Sequence, residues 1–269
     1  MTERAIRRTL KTADTGDLVG ARDVRQALPT AVGRDTARIL EHWLPQVWPR
    51  AIFAPGFIER MNRFAQLLAC WGKAFNLTSR PDDPATLAFH IIDCASVLAL
   101  KDEAALLRGY FEPGRAVADI GSGCGFPGVV LASGCGAHLV LFEPRRKRAA
   151  FLRIVIAELG LDNAEVSALS LPSEQIRARF DVAVGRALGA PAKFYRLAHS
   201  VLLEGGVAIL YATRFQTVAP GSAQAAGFSA GETLVYRLSL AASWQRRRSS
   251  ADEAGVLPDR ALVTWQKVR

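Results

Sequence analysis

An α/β fold with a mostly parallel sheet and helices on both faces is expected, and three observations predict it. From about residue 111 onward, short β-branched or apolar runs alternate with helical patterns, as βαβ units require. The first of these runs, Ala116-Val-Ala-Asp-Ile120, opens directly into a glycine-rich loop, Gly121-Ser-Gly-Cys-Gly-Phe-Pro-Gly128, before the pattern turns helical. Ahead of it, Phe57, Met61, Phe64, Leu68 and Trp71 recur at spacings of three and four, one stripe of an amphipathic helix.

In chain order, residues 1–50 mix charges with Gly and Pro and read as a poorly defined extension, with a helix expected near Asp35–Trp43. Residues 51–110 form a small helical subdomain, its second helix marked by Leu87, Ile91, Ala95 and Leu98. The two helices are joined by Asn76-Leu-Thr-Ser-Arg-Pro-Asp-Asp-Pro84, whose composition is that of a loop. Residues 111–269 carry the sheet, with strands expected at Ala116–Ile120, His138–Phe142, Ala164–Ala168, Phe180–Val184 and Gly206–Ala212. Between them lie helical patterns such as Phe151, Leu152, Val155 and Leu159. Glu232–Ser239 and Ala261–Val268 read as an antiparallel pair that closes the sheet, giving it an antiparallel edge strand.

The chain has 269 residues, half of them hydrophobic, with a formal net charge of +9 and a pI near 9.9. That balance favours a polyanionic partner such as nucleic acid. No apolar run approaches the roughly 20 residues of a membrane span, and the N-terminal residues lack the apolar centre of a signal peptide. A cytoplasmic monomer with no membrane partner is therefore expected. Cys70, Cys94, Cys124 and Cys135 show no paired spacing and no nearby His cluster, so neither a metal nor a disulfide framework is expected.

The glycine loop announces a nucleotide-type cofactor at the C-terminal edge of a parallel sheet. Gly121, Gly123 and Gly125 can take positive φ and leave the backbone bare for a ligand. Pro127 suits the first helical turn, where its missing N–H costs nothing. The string 123–128 satisfies the dinucleotide pattern, but Asp119 stands two residues before the first glycine. A pyrophosphate would meet that carboxylate unfavourably, whereas the sulfonium and amino group of S-adenosylmethionine would welcome it. No Walker lysine follows the glycines. Glu143, 22 residues past Gly121, is placed to accept from ribose hydroxyls.

A wider set of residues resembles one family. Trp71-Gly-Lys-Ala-Phe-Asn-Leu-Thr-Ser79, His90-Ile-Ile-Asp93, Asp119 through Gly128, Lys147-Arg-Ala-Ala-Phe-Leu152 and Gly185-Arg-Ala187 occur in order. Together they are similar to the RsmG (GidB) family of bacterial 16S ribosomal RNA guanine-N7 methyltransferases, over roughly residues 55–215 and more loosely the final strand. The resemblance implies a Rossmann-like, class I S-adenosylmethionine-dependent methyltransferase acting on 16S rRNA or the small ribosomal subunit. It places Gly121, Phe126 and Glu143 in the cofactor pocket, Leu171 and Pro172 near the adenine, and Arg186 at the end of the fourth strand. Two departures stand out: Ser170-Leu-Pro172 where an acid is usual, and Thr213-Arg214 where a Lys-Gly pair is usual. The alternatives are a methyltransferase of the same fold with another RNA or a small molecule as acceptor, or an assembly factor that keeps the pocket without catalysis.

The residues suit N7 chemistry. Guanine N7 carries a free lone pair and no proton, so methylation needs placement rather than a base. There is no Pro-Cys of the kind cytosine C5 methylation uses, and the turn after the fourth strand is Gly185-Arg-Ala-Leu-Gly189, not the Asn/Asp-Pro-Pro-aromatic turn of amine methylation. Arg186 has four readings: guanine edge, phosphate, methionine carboxylate, or a brace of the sheet edge. His90 and Asp93 share a helix face and serve either packing or substrate. Asn76 either stabilises its loop or joins the site. Arg145, Arg146, Lys147 and Arg148 open a helix against its dipole, which points to phosphate or to a solvated run. Arg246–Arg248 in the tail carries the same pair of readings.

Overall fold

The computed structural model describes residues 29–75, 80–103, 105–176, 178–213, 220–236, 238 and 260–268. Three helices come first: α1 (Thr30–Val47), α2 (Phe57–Phe75) and α3 (Pro84–Leu100). Strands and helices then alternate as β1 (Ala116–Ile120), α4 (Gly128–Gly134), β2 (His138–Phe142), α5 (Arg146–Leu159), β3 (Ala164–Ser167) and β4 (Phe180–Arg186). The chain continues through α6 (Pro191–Val201), β5 (Leu202–Thr213), α7 (Pro220–Gln224), β6 (Phe228–Tyr236) and β7 (Arg260–Lys267).

The seven strands form one sheet in the order β3-β2-β1-β4-β5-β7-β6. β1, β2, β3, β4 and β5 are parallel, so the expected class I α/β architecture holds. The antiparallel strand lies one position in from the edge: β7 runs between β5 and β6, antiparallel to both. The edge strand β6 thus keeps the direction of β5, and the last strand, β7, is inserted between the two. Consequently Arg260, the first residue of β7, arrives at the same rim as the C-terminal ends of β4 and β5, opposite Thr213 and Tyr236.

Alternation along the strands divides the core into two layers. Val117, Leu139, Leu141, Val182, Val184, Val207 and Ile209 face α1 to α5. Ala118, Ile120, Val140, Phe142, Ala183, Ala208 and Leu210 face Phe194, Tyr195, Ala198 and Val201 of α6. The stripe Phe57, Met61, Phe64, Leu68 and Trp71 is buried throughout, as are Leu87, Ile91, Ala95 and Leu98. These helices share one hydrophobic cluster with the sheet; each large side chain so buried contributes roughly 1.5–3 kcal/mol.

Helix α1 extends well beyond Asp35–Trp43, and Leu40 and Leu44 are buried in that same cluster. It lies against α2 through Gly33, where a Cβ would come within 2.6 Å of the Asn62 carbonyl. Helix α3 begins on a side-chain cap: Asp83 accepts from the Ala85 N–H at 3.3 Å and the Thr86 hydroxyl at 2.6 Å, with Pro84 in the first turn. Helix α5 ends on Gly160 in the left-handed region, φ +60°, the usual helix stop.

Candidate active site

The sheet order reverses between β1 and β4, and the crevice outside the strand ends at such a point is where α/β proteins bind ligands. Here a cleft of about 420 Å³ opens there, lined by His90, Asp93, the loop 121–124, Phe126, Arg148, Arg186, Ala187, Tyr211, Ala212 and Arg260.

One wall is the glycine loop. Gly121, Gly123 and Gly125 have φ of +72°, +60° and +103°, values that strain any residue with a Cβ. Gly121 and Ser122 donate to the Phe142 carbonyl at 2.9 and 3.1 Å, which ties the loop to the end of β2. Gly125 closes against Val129 and Phe64, where an added Cβ would sit at 2.7 and 3.1 Å. Phe126 packs edge-on to Phe64 at 5.3 Å and also meets the His90 ring at 5.4 Å. Pro127 is the cap residue of α4 rather than its first helical residue. Around Gly123 the space is open, its nearest neighbours being the Gly121 carbonyl at 3.7 Å and Arg148 at 3.9 Å.

Two acids hold this loop from beneath. Asp119 is fully buried; its Oδ2 accepts from the Gly128 N–H at 3.0 Å, and its Oδ1 has no hydrogen-bond partner among the described residues. Burial pushes its carboxyl up to about 7. Glu143 accepts from the Gly123 N–H at 3.0 Å and the Arg145 N–H at 2.9 Å. One of its oxygens thus braces the glycine loop and the other the start of α5, each retaining acceptor capacity for a further donor.

The opposite wall is a network centred on Asp93. Its side chain is 2% exposed and pairs with Arg186 Nη2 at 3.0 Å through Oδ2. Oδ1 accepts from the Tyr236 hydroxyl at 2.9 Å, and Arg260 Nε lies 3.7 Å away. Arg186 also donates to His90 Nδ1 at 2.9 Å. A guanidinium can only donate, so His90 accepts on Nδ1 and carries its proton on Nε2. Burial, with the Arg186 and Arg260 charges, pushes the His90 imidazole down to about 3, so it is neutral at physiological pH. Ala187, just after Arg186, has a φ of +57°, a strained value held by the turn. Trp48 reaches the same network from the end of α1, edge-on to Tyr236 at 5.4 Å and donating to the Ile92 carbonyl at 3.1 Å.

Of the residues singled out in the sequence, His90, Asp93, Gly121, Gly123, Phe126, Arg148 and Arg186 meet in this cleft. The basic run divides: Arg145, Arg146 and Lys147 are exposed, while Arg148 turns inward to the glycine loop. Leu171 and Pro172 follow β3 and do not line the cleft; Leu171 packs on the α6 layer. Asn76, Arg214 and Arg246–Arg248 lie outside the described residues. Tyr211, Tyr236 and Arg260 are site residues that sequence reasoning missed. A strand reading of 261–268 stops one residue short of Arg260, and only the antiparallel insertion of β7 brings it to this rim.

The GidB family model, described as rRNA small subunit methyltransferase G, matches residues 57–226. The chain belongs to the GidB family. A ribosomal RNA small subunit methyltransferase G from Laribacter hongkongensis is 33% identical over 144 residues, 53% of this chain and 64% of that protein. The like-named protein of Stenotrophomonas maltophilia is 31% identical over 181 residues, 67% of this chain and 76% of its own. The match to the Laribacter protein thus spans just under two thirds of that relative. Among solved structures, the tRNA (m1A58) methyltransferase TrmI of Aquifex aeolicus aligns with a TM-score of 0.45 at 17% identity, covering 63% of this chain and 69% of that one. Helix α1 and Trp48 precede the GidB match, yet Trp48 touches its central network. No helix among the described residues is long and apolar enough to cross a membrane, and no three His, Cys, Asp or Glu there are grouped to hold a metal ion.

Proposed function

We propose that this protein transfers the methyl group of S-adenosylmethionine to N7 of a guanine in 16S rRNA, acting as a cytoplasmic monomer on the small ribosomal subunit or its RNA. The observation that carries this reading is a cleft whose described residues supply position and charge but no base. His90 is neutral with Nδ1 occupied by Arg186, and Asp93 is spent on Arg186 and Tyr236. Burial pushes the Cys124 thiol up to about 11, so it stays protonated and is no nucleophile at neutral pH. Such a site suits an acceptor with a free lone pair and no proton to lose.

The residues present fit the cofactor. The open, Cβ-free space at Gly123 and the orphaned Asp119 Oδ1 offer bare backbone and an acceptor to a cationic, amino-bearing ligand. Asp119, Gly121, Gly123, Gly125, Phe126 and Glu143 would hold it, with Arg186 beside its methionine portion; Leu171 and Pro172, which the resemblance places near the adenine, stand outside the cleft lining. When bound, the cofactor supplies an electrophilic methyl on a sulfonium. The chain's own part is to hold acceptor and donor in line; His90, Asp93 and Arg186 position the acceptor side, and Asn76 is assigned there by resemblance. Arg145, Arg146 and Lys147, exposed at the N-terminal end of α5, would track RNA phosphates, while Arg148 faces the glycine loop.

The deciding experiment is mass spectrometry of 16S rRNA from a deletion strain and its complemented parent. Loss of one N7-methylguanosine, restored by the gene, is expected; unchanged N7-methylguanosine sinks the reading. Cofactor binding also carries a pH signature. The free protein holds the Asp119 carboxyl at about 7, and a cationic ligand favours its ionised form, so below that pH binding must release a proton. Affinity is therefore flat above pH 7 and falls by up to about tenfold per pH unit below it. Calorimetry in buffers of different ionisation heats reads the released proton directly. Asp119→Asn should abolish the release; a wild-type affinity independent of pH between 5 and 8 would contradict the assignment.

A further inference from the structure

On the wall opposite the glycine loop, two guanidiniums, Arg186 and Arg260, line the cleft beside one carboxylate, Asp93, and a neutral His90. Asp93 is already committed: Oδ2 to Arg186 at 3.0 Å and Oδ1 to the Tyr236 hydroxyl at 2.9 Å. Arg260 Nε reaches only to 3.7 Å from Oδ1, is itself buried, and has no hydrogen-bond partner. Its guanidinium lies 5.0 Å from the Phe89 ring centroid, and its side chain keeps 20% exposure toward the cleft. An arginine serving only as a brace would spend its N–H groups on the protein; no described residue accepts one from Arg260.

Position separates Arg260 from the cofactor wall. β7 is three strands from β1 in the sheet order, so Arg260 stands about 14 Å along the sheet from the strand that feeds the glycine loop. We propose that Arg260, oriented by Phe89, Asp93 and Tyr236, holds an oxyanion at the acceptor end of the cleft, and that this oxyanion is a backbone phosphate of the RNA next to the target nucleotide. A planar fork with free N–H groups and surplus charge matches a phosphate in geometry and sign. The assignment rests on the reading of the cleft as an RNA methyltransferase site. The one other source of an oxyanion there is the cofactor's methionine carboxylate.

The full-length protein distinguishes the two sources with Arg260→Gln and Arg260→Lys. For the glutamine variant, S-adenosylmethionine affinity by calorimetry is expected to stay within about twofold, because Arg186 keeps its pairing with Asp93. Its affinity for 16S rRNA from the deletion strain is expected to fall at least about tenfold, and the slope of log K against log salt to become shallower by roughly 0.7. The lysine variant should keep the wild-type salt slope while losing part of the transfer rate. A cofactor affinity reduced tenfold with an unchanged salt slope would assign Arg260 to the methionine carboxylate and overturn the proposal. Unchanged affinities with a lowered melting temperature would reduce Arg260 to a brace of Asp93, also overturning it. If wild-type protein transfers no methyl to RNA, the functional reading fails by itself, and the salt slopes still report whether Arg260 holds phosphate.

Discussion

Gly123→Val is expected to abolish S-adenosylmethionine binding while leaving the protein folded. Gly123 sits at φ +60°, and a Cβ there would touch only the Gly121 carbonyl at 3.7 Å and the Arg148 guanidinium at 3.9 Å, both ordinary contacts. The fold therefore suffers only the left-handed backbone strain of a β-branched residue, about 1–2 kcal/mol. Binding suffers twice. The valine methyls occupy space in the cleft wall, and any backbone shift that relieves φ breaks the 3.0 Å bond from the Gly123 N–H to Glu143. A loss of at least about 100-fold in affinity, near 2.7 kcal/mol, is expected. Gly160→Val provides the control, because Gly160 has the same φ of +60° with nothing within 4 Å of its added Cβ, at the far end of α5. It should cost similar stability and no affinity. Calorimetry and thermal melts on both variants check the pair; a Gly123→Val protein that binds within threefold of wild type would remove the glycine loop from the cofactor site.

The strands were legible because their burial is one-dimensional. Ala116–Ile120 and His138–Phe142 appear at their expected limits, since apolar runs bounded by Arg115, glycine or proline leave little choice of register. Helix α1 was only half legible. Its buried face begins with the small residues Gly33, Thr36 and Ala37 before Leu40 and Leu44, so only its second half carries large apolar side chains into the core. The placement of β7 was not legible at all. Two terminal strands can close a sheet with either at the edge, and the apolar pattern of each strand is the same in both orders. The site divided in the same way. Asp119, the glycines and Glu143 are contiguous with strand ends and could be read in line. Tyr211, Tyr236 and Arg260 reach the cleft only through sheet order, so their roles emerge in three dimensions. His90-x-x-Asp93 lay between: the spacing showed a shared helix face, but the partner they hold, Arg186, is 93 positions beyond Asp93.

Asp93→Asn is expected to destabilise the protein by about 3 kcal/mol, at the lower end for removal of one partner from a buried ion pair. The lower end applies because the Arg186 and Arg260 side chains retain 16% and 20% exposure, so water relieves part of the stranded charge. For a chain of this size that corresponds to a melting temperature lower by roughly 6–12 °C. The asparagine keeps the shape and can still accept from Tyr236, so the loss isolates charge rather than packing. Tyr236→Phe, which removes a single hydroxyl donating to Asp93 and accepting from Ser96, should cost about 1.5 kcal/mol. His90 cannot compensate for the lost carboxylate, being neutral and already an acceptor for Arg186. The two arginines then repel each other across a site built for one shared anion. Replacing one of them should therefore recover stability: Arg186→Met in the Asp93→Asn background is expected to be less destabilised than the sum of the single changes by at least about 1 kcal/mol. Urea unfolding of the four proteins with a common slope measures this coupling. Strict additivity, or a loss below 1 kcal/mol for Asp93→Asn alone, would mean that Asp93 lends the cleft its geometry but not its charge balance, and that the positive surplus assigned to Arg260 has another counter-ion.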